Sequence, residues 1–325
     1  MQPIFNYIIT IHNKEDLIEK VLDSVIKCCN NNSFIYPVLD GCTDKSEEII
    51  DKIISKNSKI PINKIKANDV HEIQSINEGL RKSNQSLPGY NIILQDDVIL
   101  LDNSIEKKII HLYEKMGPRL GYLSFRLGGN LKDDVLESGD GSPFKDYVEN
   151  AFGHGIDKSN ILLPGQFAFR SIVIKSPACI PTLIIRQFGL LDENLSPCFH
   201  DDTEYCLRLL KNGYKNGVFG IEYQSNLEWG GTRKKPDLDL YKNIKKNMDY
   251  IRQKYHDEIL NIISLPQQKE VLNLLEFTSN EANRKALDQY KLNKRKKRKY
   301  ELEELSIIQK IKYYLKKMIS AISSR

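Results

Sequence analysis

The chain has 325 residues, 40% hydrophobic and 28% charged, an ordinary globular composition with ample material for one large domain plus an appendage. Its formal net charge of +5 is concentrated in residues 291–299 (KLNKRKKRK), which leaves the remainder near neutral and argues against a nucleic-acid footprint over the whole domain. Six scattered cysteines (Cys28, Cys29, Cys42, Cys179, Cys198, Cys206) show neither a CxxC pair nor zinc spacing, and no stretch approaches the ~18–20 apolar residues of a membrane span.

The opening MQPIFNYIITIHNK has no basic n-region and no long apolar core, so it reads as a strand over 4–11 and not as a secretory leader. Reduced thiols and a cytoplasmic location are therefore expected. A helix follows over 15–27, where Leu17, Ile18, Val21, Leu22, Val25 and Ile26 keep a helical period. FIYPVLD (34–40) predicts a second strand, and Thr43-Asp44 open a helix through 54. A third strand over 62–67, a helix over 71–83 and an apolar strand over 90–97 complete the alternation. Strands alternating with helices predict an α/β fold with a mostly parallel sheet covered on both faces.

From about 118 to 170 the pattern loosens into short strands and Gly-rich loops. LPGQFAFRSIVI (163–174) reads as a buried strand entering a helix. A loop then leads to a helix over about 202–211 that stops at Gly213, and after Pro236 the chain is polar and strongly helical. This divides the chain into one domain, 1–235, with a regular first half (1–100) and a looser second half (101–235), and a helical, basic C-terminal extension, 236–325.

Parallel α/β sheets bind ligands beyond the carboxyl ends of their strands. Leu94-Gln95-Asp96-Asp97 puts two adjacent carboxylates at such an end, and like charges this close need a compensating cation or donor. A hard divalent ion shared with phosphate oxygens is one solution; a plain capping Asp is the other. The first strand ends in Thr10-Ile11-His12-Asn13 and the second in Leu39-Asp40-Gly41-Cys42-Thr43-Asp44. Any one of these turns could be simple helix capping by Thr43 or Asp44. Three polar turns at successive strand ends describe a nucleotide cradle.

Five segments resemble the family 2 glycosyltransferases of GT-A type fold: Ile9-Thr10-Ile11-His12-Asn13, Val38–Asp44, Ser75-Ile76-Asn77-Glu78-Gly79-Leu80, Leu94–Asp97, and Phe188–Glu193 followed by Asp201-Asp202-Thr203-Glu204-Tyr205-Cys206-Leu207-Arg208. They keep the family's order and span about residues 4–235, so the resemblance implies a catalytic domain over 1–235 with 1–100 as its nucleotide-binding half and 101–235 as its acceptor half. The resemblance implies a Rossmann-like sheet flanked by helices and an inverting transfer from a nucleotide-diphosphate sugar, UDP by resemblance alone. It implies that Thr10 and His12, with Asn13 beside them, flank the base, that Asp40 accepts from it, and that Asp96 contacts the ribose. His71 falls loosely near the nucleotide. Asp97 would ligate Mn²⁺ or Mg²⁺, and Asp202 matches the general base. Three positions depart from the family pattern: Gln95 for the first acid of the DxD-type turn, Leu39 for the first Asp of the second motif, and His12 for the usual Tyr.

A hydroxyl acceptor is a poor nucleophile and needs a carboxylate to take its proton, while the departing diphosphate needs a cation. The alternative for Asp202 is a helix-capping acid. Asp201, His200, His154 and Trp229 are candidate acceptor contacts, each with an ordinary alternative in loop structure or packing; Glu228 is a further candidate. Arg208 is expected to pair with Glu204 at i,i+4 spacing. In the tail, Ile308, Ile311, Leu315, Met318, Ile319 and Ile322 share a helix face opposite Lys310, Lys312, Lys316 and Lys317. Residues 291–322 could lie on the inner face of a membrane, as suits a lipid-linked acceptor, or pack on the domain or a second subunit. A nucleotidyltransferase would want a Gly-rich basic phosphate loop, which 9–20 lack; a catalytically inactive nucleotide- or sugar-binding scaffold is the other rival. No nucleic-acid partner is expected.

Overall fold

The structure is a computed structural model that describes residues 2–137, 142–153, 159–226, 229 and 238–304. Its first half is a regular alternation: β1 (Ile4–Ile11), α1 (Ile18–Cys28), β2 (Ser33–Asp40), α2 (Ser46–Lys56), β3 (Ile65–Ala67), α3 (His71–Lys82) and β4 (Gly89–Gln95). There follow β5 (Val98–Leu100), α4 (Ile105–Met116), β6 (Leu120–Ser124), β7 (Leu127–Leu131), β8 (Phe144–Asn150), β9 (Asn160–Leu162), β10 (Gln166–Arg170), β11 (Ile172–Ile174) and β12 (Ala178–Pro181). The remainder comprises α5 (Thr182–Phe188), α6 (Asp201–Lys211), β13 (Lys215–Phe219), β14 (Tyr223–Ser225), α7 (Leu238–Lys254), α8 (His256–Ser264), β15 (Leu272–Asn273) and α9 (Asn280–Glu304).

Among the described residues the main sheet runs β3–β2–β1–β4–β12–β6–β13–β10–β15. Strands β3, β2, β1 and β4 are parallel. Beyond β4 the directions mix: β12 is antiparallel to both neighbours, and β13 is parallel to β6. A right-handed α/β crossover can join only parallel neighbours, so the parallel half is the half built from βα units.

The pleat explains why strands read from sequence as nearly continuous apolar runs. Phe5, Tyr7, Ile9 and Ile11 of β1 join Ile92 and Leu94 of β4 and Ile35 and Leu39 of β2 in one core, under α1, α2 and α4. Ile8, Ile93, Tyr36 and Val38 point the other way, into a core shared with α3, α5, α6 and α7. Close contact on that second face depends on Gly79 of α3, where a β-carbon would stand 2.4 Å from Cγ2 of Ile8.

The stretch 163–174 contains no helix. It forms β10 and β11, which pair with different sheets, β10 with β13 and β11 with β7. Ser171 is the pivot, and the β-branched run Ile172-Val173-Ile174 favours a strand over a helix. The third strand is shorter than expected, 65–67, with Ile62 making only an isolated bridge to Ile35. The sequence boundary at 235 falls outside the described residues. Helix α7 beyond it packs firmly: Met248 and Ile251 are buried in the second core, as are Tyr255 and Ile259 that follow. Among the described residues no helix is long and apolar enough to cross a membrane.

Candidate functional site

The carboxyl ends of β1, β2 and β4 meet, and their polar residues are tied to one another. The His12 backbone N–H donates to Oδ2 of Asp96 at 2.9 Å, and its ring Nδ1 lies 2.7 Å from the Asp40 carbonyl oxygen. Asn13 Oδ1 accepts from the Thr43 N–H at 2.8 Å, fastening the β1 turn to the β2 turn. Asp44 accepts from the Ser46 and Glu15 amides, both at 2.9 Å, and so ties the β1 turn to the start of α2, whose N-cap is Lys45. Asp40 is buried at the end of β2, and its Oδ1 accepts from the Val70 N–H at 2.7 Å. That bond brings His71, the exposed first residue of α3, beside the same strand end. Gly41 turns the chain here with φ +58°, and a β-carbon on it would meet Cβ of Asp69 at 2.7 Å. Thr10 is buried within β1 itself, opposite Val38 and Gln95.

Lys14, absent from the sequence candidates, brings a cation to these strand ends. Its ammonium lies 3.4 Å from Oδ1 of Asp96 and donates to the Trp229 carbonyl at 2.6 Å. Trp229 therefore stands beside the strand ends of the nucleotide half. Burial pushes the Asp96 carboxyl up to about 6, against the pull of Lys14 and the His12 amide, with the Asp97 charge pushing further in the same direction. Asp97 is 3% exposed.

The second group gathers around Lys175, a buried lysine on the short link between β11 and β12. Its ammonium pairs with Asp201, and lies 3.7 Å from both Oδ2 of Asp202 and Oε1 of Glu72. Asp202, 7% exposed, accepts from the Tyr122 hydroxyl at 2.5 Å and from the Lys175 backbone N–H at 3.2 Å instead of capping its own helix. Burial raises the Asp202 carboxyl to about 7; Lys175 and the Tyr122 hydrogen bond hold it down, and the Asp201 and Glu72 charges push it up. Asp201 is 1% exposed and turned to Lys175. His200 has its Nδ1 3.3 Å from the Thr203 hydroxyl, and burial lowers its ring to about 4. Arg208 pairs with Glu204 as its spacing predicts.

Glu72 joins the two groups. It accepts from the Gln95 amide at 2.5 Å, next to the Asp96-Asp97 turn, and faces Lys175 on the other side. Burial raises its carboxyl, which also feels the charges of both Asp201 and Asp97. The acid-ended strand and the start of α6 are therefore linked through one chain of polar and charged side chains, from Gln95 through Glu72 and Lys175 to Asp202. Gln95, a departure from the family pattern, serves as the neutral donor of that link.

Among the described residues no three His, Cys, Asp or Glu side chains converge into a metal cage. Adjacent carboxylates at one strand end nevertheless fit a hard cation that arrives with a diphosphate, since such ions use one or two carboxylates and complete their shell from phosphate and water. His154 and Glu228 lie outside the described residues, as does 305–322 of the tail. Glu72, Lys175, Tyr122 and Lys14 escaped sequence reasoning. Only Lys175 left a trace there, as a lone charge interrupting the apolar run IVIKSPACI.

Residues 7–116 match the family model described as Glycosyl transferase family 2, a span from within β1 to the end of α4 that includes Thr10, His12, Asn13, Asp40, His71, Asp96 and Asp97. The chain carries a family 2 glycosyltransferase domain. Its activity is therefore sugar transfer. Among solved structures, the glycosyltransferase fold recurs in a mannosyltransferase from Pyrobaculum calidifontis, in complex with GDP-Man and Mn²⁺, at 12% identity over 100% of this chain and 81% of that one, TM-score 0.51. S. aureus TarS 1–349 aligns at 14% identity over 89% of this chain and 71% of that one, TM-score 0.49. A search of curated proteins found no match.

Proposed function

We propose that this glycosyltransferase moves a sugar from a nucleoside diphosphate donor to a hydroxyl of a saccharide or lipid-linked acceptor, with inversion at the anomeric carbon. The observation that supports this reading is the chain of contacts through Lys175, Glu72 and Gln95 that ties Asp202, a nearly buried carboxylate raised to about 7, to the acid-ended strand β4. A carboxylate near 7 is half deprotonated at neutral pH and strong enough to take a proton from an attacking alcohol. The acceptor oxygen forms its bond to the anomeric carbon as the bond to the diphosphate oxygen breaks. The proton passes to Asp202, and the nucleotide leaves with the bonding electron pair. One base and one direct displacement invert the centre.

On the donor side, His12 and Asn13 with Thr10 behind them would flank the base, and Asp40 would accept from it through the oxygen that Val70 does not occupy. Asp96 would meet the ribose, with His71 at the rim. A divalent ion, Mn²⁺ or Mg²⁺, at Asp97 would supply the positive charge that a departing diphosphate requires; the domain's family and the GDP-Man and Mn²⁺ bound to the Pyrobaculum enzyme support this assignment. UDP is the nucleotide that the resemblance implies. His200 and Trp229 are the described candidates for acceptor contact; Asp201 is turned to Lys175 and would act only through its neighbours. A role in polysaccharide or glycolipid assembly, at the cytoplasmic face of a membrane, would follow if the basic tail meets anionic lipid.

The test is Asp202→Asn in the full chain. Transfer should fall at least a thousandfold while affinity for UDP or GDP stays within about twofold, because the lost group acts only in the transition state. Wild-type turnover by this variant would remove Asp202 from the mechanism. Asp97→Ala should instead weaken Mn²⁺-dependent nucleotide binding, read by calorimetry with and without the ion.

A further inference from the structure

The two residues ahead of α6, Phe199 and His200, both adopt left-handed backbone conformations, with φ +75° and +64°. Neither is glycine, and consecutive residues of this kind persist only where their surroundings hold them. The next two residues are Asp201 and Asp202, so the aim of both carboxylates depends on this turn.

The restraint comes from α7, some fifty residues further along the chain. Asn247 is 1% exposed, and its side-chain nitrogen donates to the carbonyl oxygens of Leu195 at 2.8 Å, Cys198 at 3.0 Å and Phe199 at 3.0 Å. An amide offers two protons, so these three acceptors share them. The same helix holds both ends of the segment. The Tyr250 hydroxyl donates to Oδ2 of Asp192 at 2.8 Å, and the Lys254 ammonium reaches that oxygen at 2.7 Å and Oε1 of Glu204 at 2.9 Å. Tyr255, immediately after the helix, donates to the same Glu204 oxygen at 2.6 Å. Segment 192–204 is thus gripped at its start, its middle and its finish by one stretch of α7.

We infer that Asn247 is a positioning residue for sugar transfer: by holding the 195–199 carbonyls it sets the left-handed turn that seats Asp202 between Tyr122 and Lys175, which makes α7 a working part of the acceptor half. The inference rests on Asp202 being the base. The hydrogen bonds of the Asn247 side chain go to Leu195, Cys198 and Phe199, outside β1, β2, β4 and α3 where the donor-side groups sit, so its loss should leave nucleotide binding alone.

The experiment compares Asn247→Leu, a near-isosteric loss of the donor, with wild type in the full chain. Hydrolysis of a panel of UDP- and GDP-sugars with Mn²⁺ gives kcat and KM, calorimetry gives UDP and GDP affinity, and hydrogen exchange by mass spectrometry reads the 195–204 amides. The expected result is a kcat lower by roughly ten- to a hundredfold at unchanged KM and nucleotide affinity. Faster exchange is expected over 195–204, with wild-type rates in β1 and β4. Adding Phe199→Gly should recover most of the lost turnover, because glycine takes a positive φ without outside help. General destabilisation would not separate kcat from KM and would not be rescued by glycine. If Asn247→Leu does not fold, Asn247→Ser, which keeps one donor, must show the same separation in milder form. Unchanged exchange over 195–204 would overturn the inference and leave the base assignment standing, as would a joint fall of kcat and nucleotide affinity without rescue. Full activity of Asp202→Asn would instead sink the base assignment, and the exchange result would still decide what Asn247 holds.

Discussion

The Tyr122 hydroxyl donates to one oxygen of Asp202 while Lys175 attends the other, through its backbone N–H at 3.2 Å and its ammonium at 3.7 Å. Tyr122 belongs to β6 and Lys175 to the link before β12, so the carboxylate at the head of α6 is oriented by two neighbouring strands of the sheet. A carboxylate offers about four lone-pair sites. Two are engaged by these N–H and O–H donors, and a further site can accept the proton of an incoming hydroxyl.

Turnover should rise with pH through about 7. Burial raises the Asp202 carboxyl, so the base is protonated and idle below that value and charged above it. Tyr122→Phe removes a bond that favours the charged form, and should move the rising limb upward by about one to two pH units, given ~1.5–3 kcal/mol for a hydrogen bond to a charged group. The measurement is kcat/KM for donor turnover between pH 5 and 9; a flat profile would contradict the assignment.

Lys175→Met should do two things. It should raise the rising limb further, since the nearest opposing charge to Asp202 is gone. It should also destabilise the fold by about 3–5 kcal/mol at neutral pH, because Asp201 would be left buried without its cation. Protonating the orphaned carboxylates relieves that cost, so the gap in urea midpoint between variant and wild type should narrow from pH 8 to pH 5. An equal gap at both values would mean that the ion pair is not what the lysine supplies.

At Gly79 the expectation is purely structural. A methyl group there meets the side chains of Ile8 and Val38 at 2.4 and 3.2 Å, so Gly79→Ala should cost about 1–3 kcal/mol despite alanine's better helix propensity. Urea unfolding of the pair decides it. A more stable Gly79→Ala protein would mean that α3 can move off the sheet freely.

The basic run can be separated from the domain. In α9, Ala286 and Tyr290 are buried against the core, and the Asn293 side chain donates to the Phe152 and Gly153 carbonyls. Removing 295–325 therefore keeps these contacts and the Lys294 ammonium over the Tyr290 ring. If the run meets anionic lipid at ~1 kcal/mol per basic residue, the truncated chain should lose sedimentation with phosphatidylserine vesicles while keeping donor turnover and thermal stability. Equal sedimentation of both proteins would assign the tail elsewhere.

Local pattern alone determined the parallel half. The elements from β1 to β4 announce themselves because each helix there shows the sheet one apolar face and β1, β2 and β4 are buried on both, whereas the short edge strand β3 is half exposed and its bounds were not legible. The polar turns after β1, β2 and β4, and the start of α6, were legible for a related reason: strand ends and helix starts are where side chains escape the core. Only the tertiary structure decided that Lys175 and Tyr122 hold Asp202, that Glu72 links it to the Asp96-Asp97 turn, that Lys14 reaches Trp229, and that residues 163–174 break into two strands of different sheets. Each of these pairings joins residues tens of positions apart. The sign and strength of a buried charge depend on which partners share its cavity, and a strand's fate depends on which edges are open to it; neither is written in the neighbouring residues.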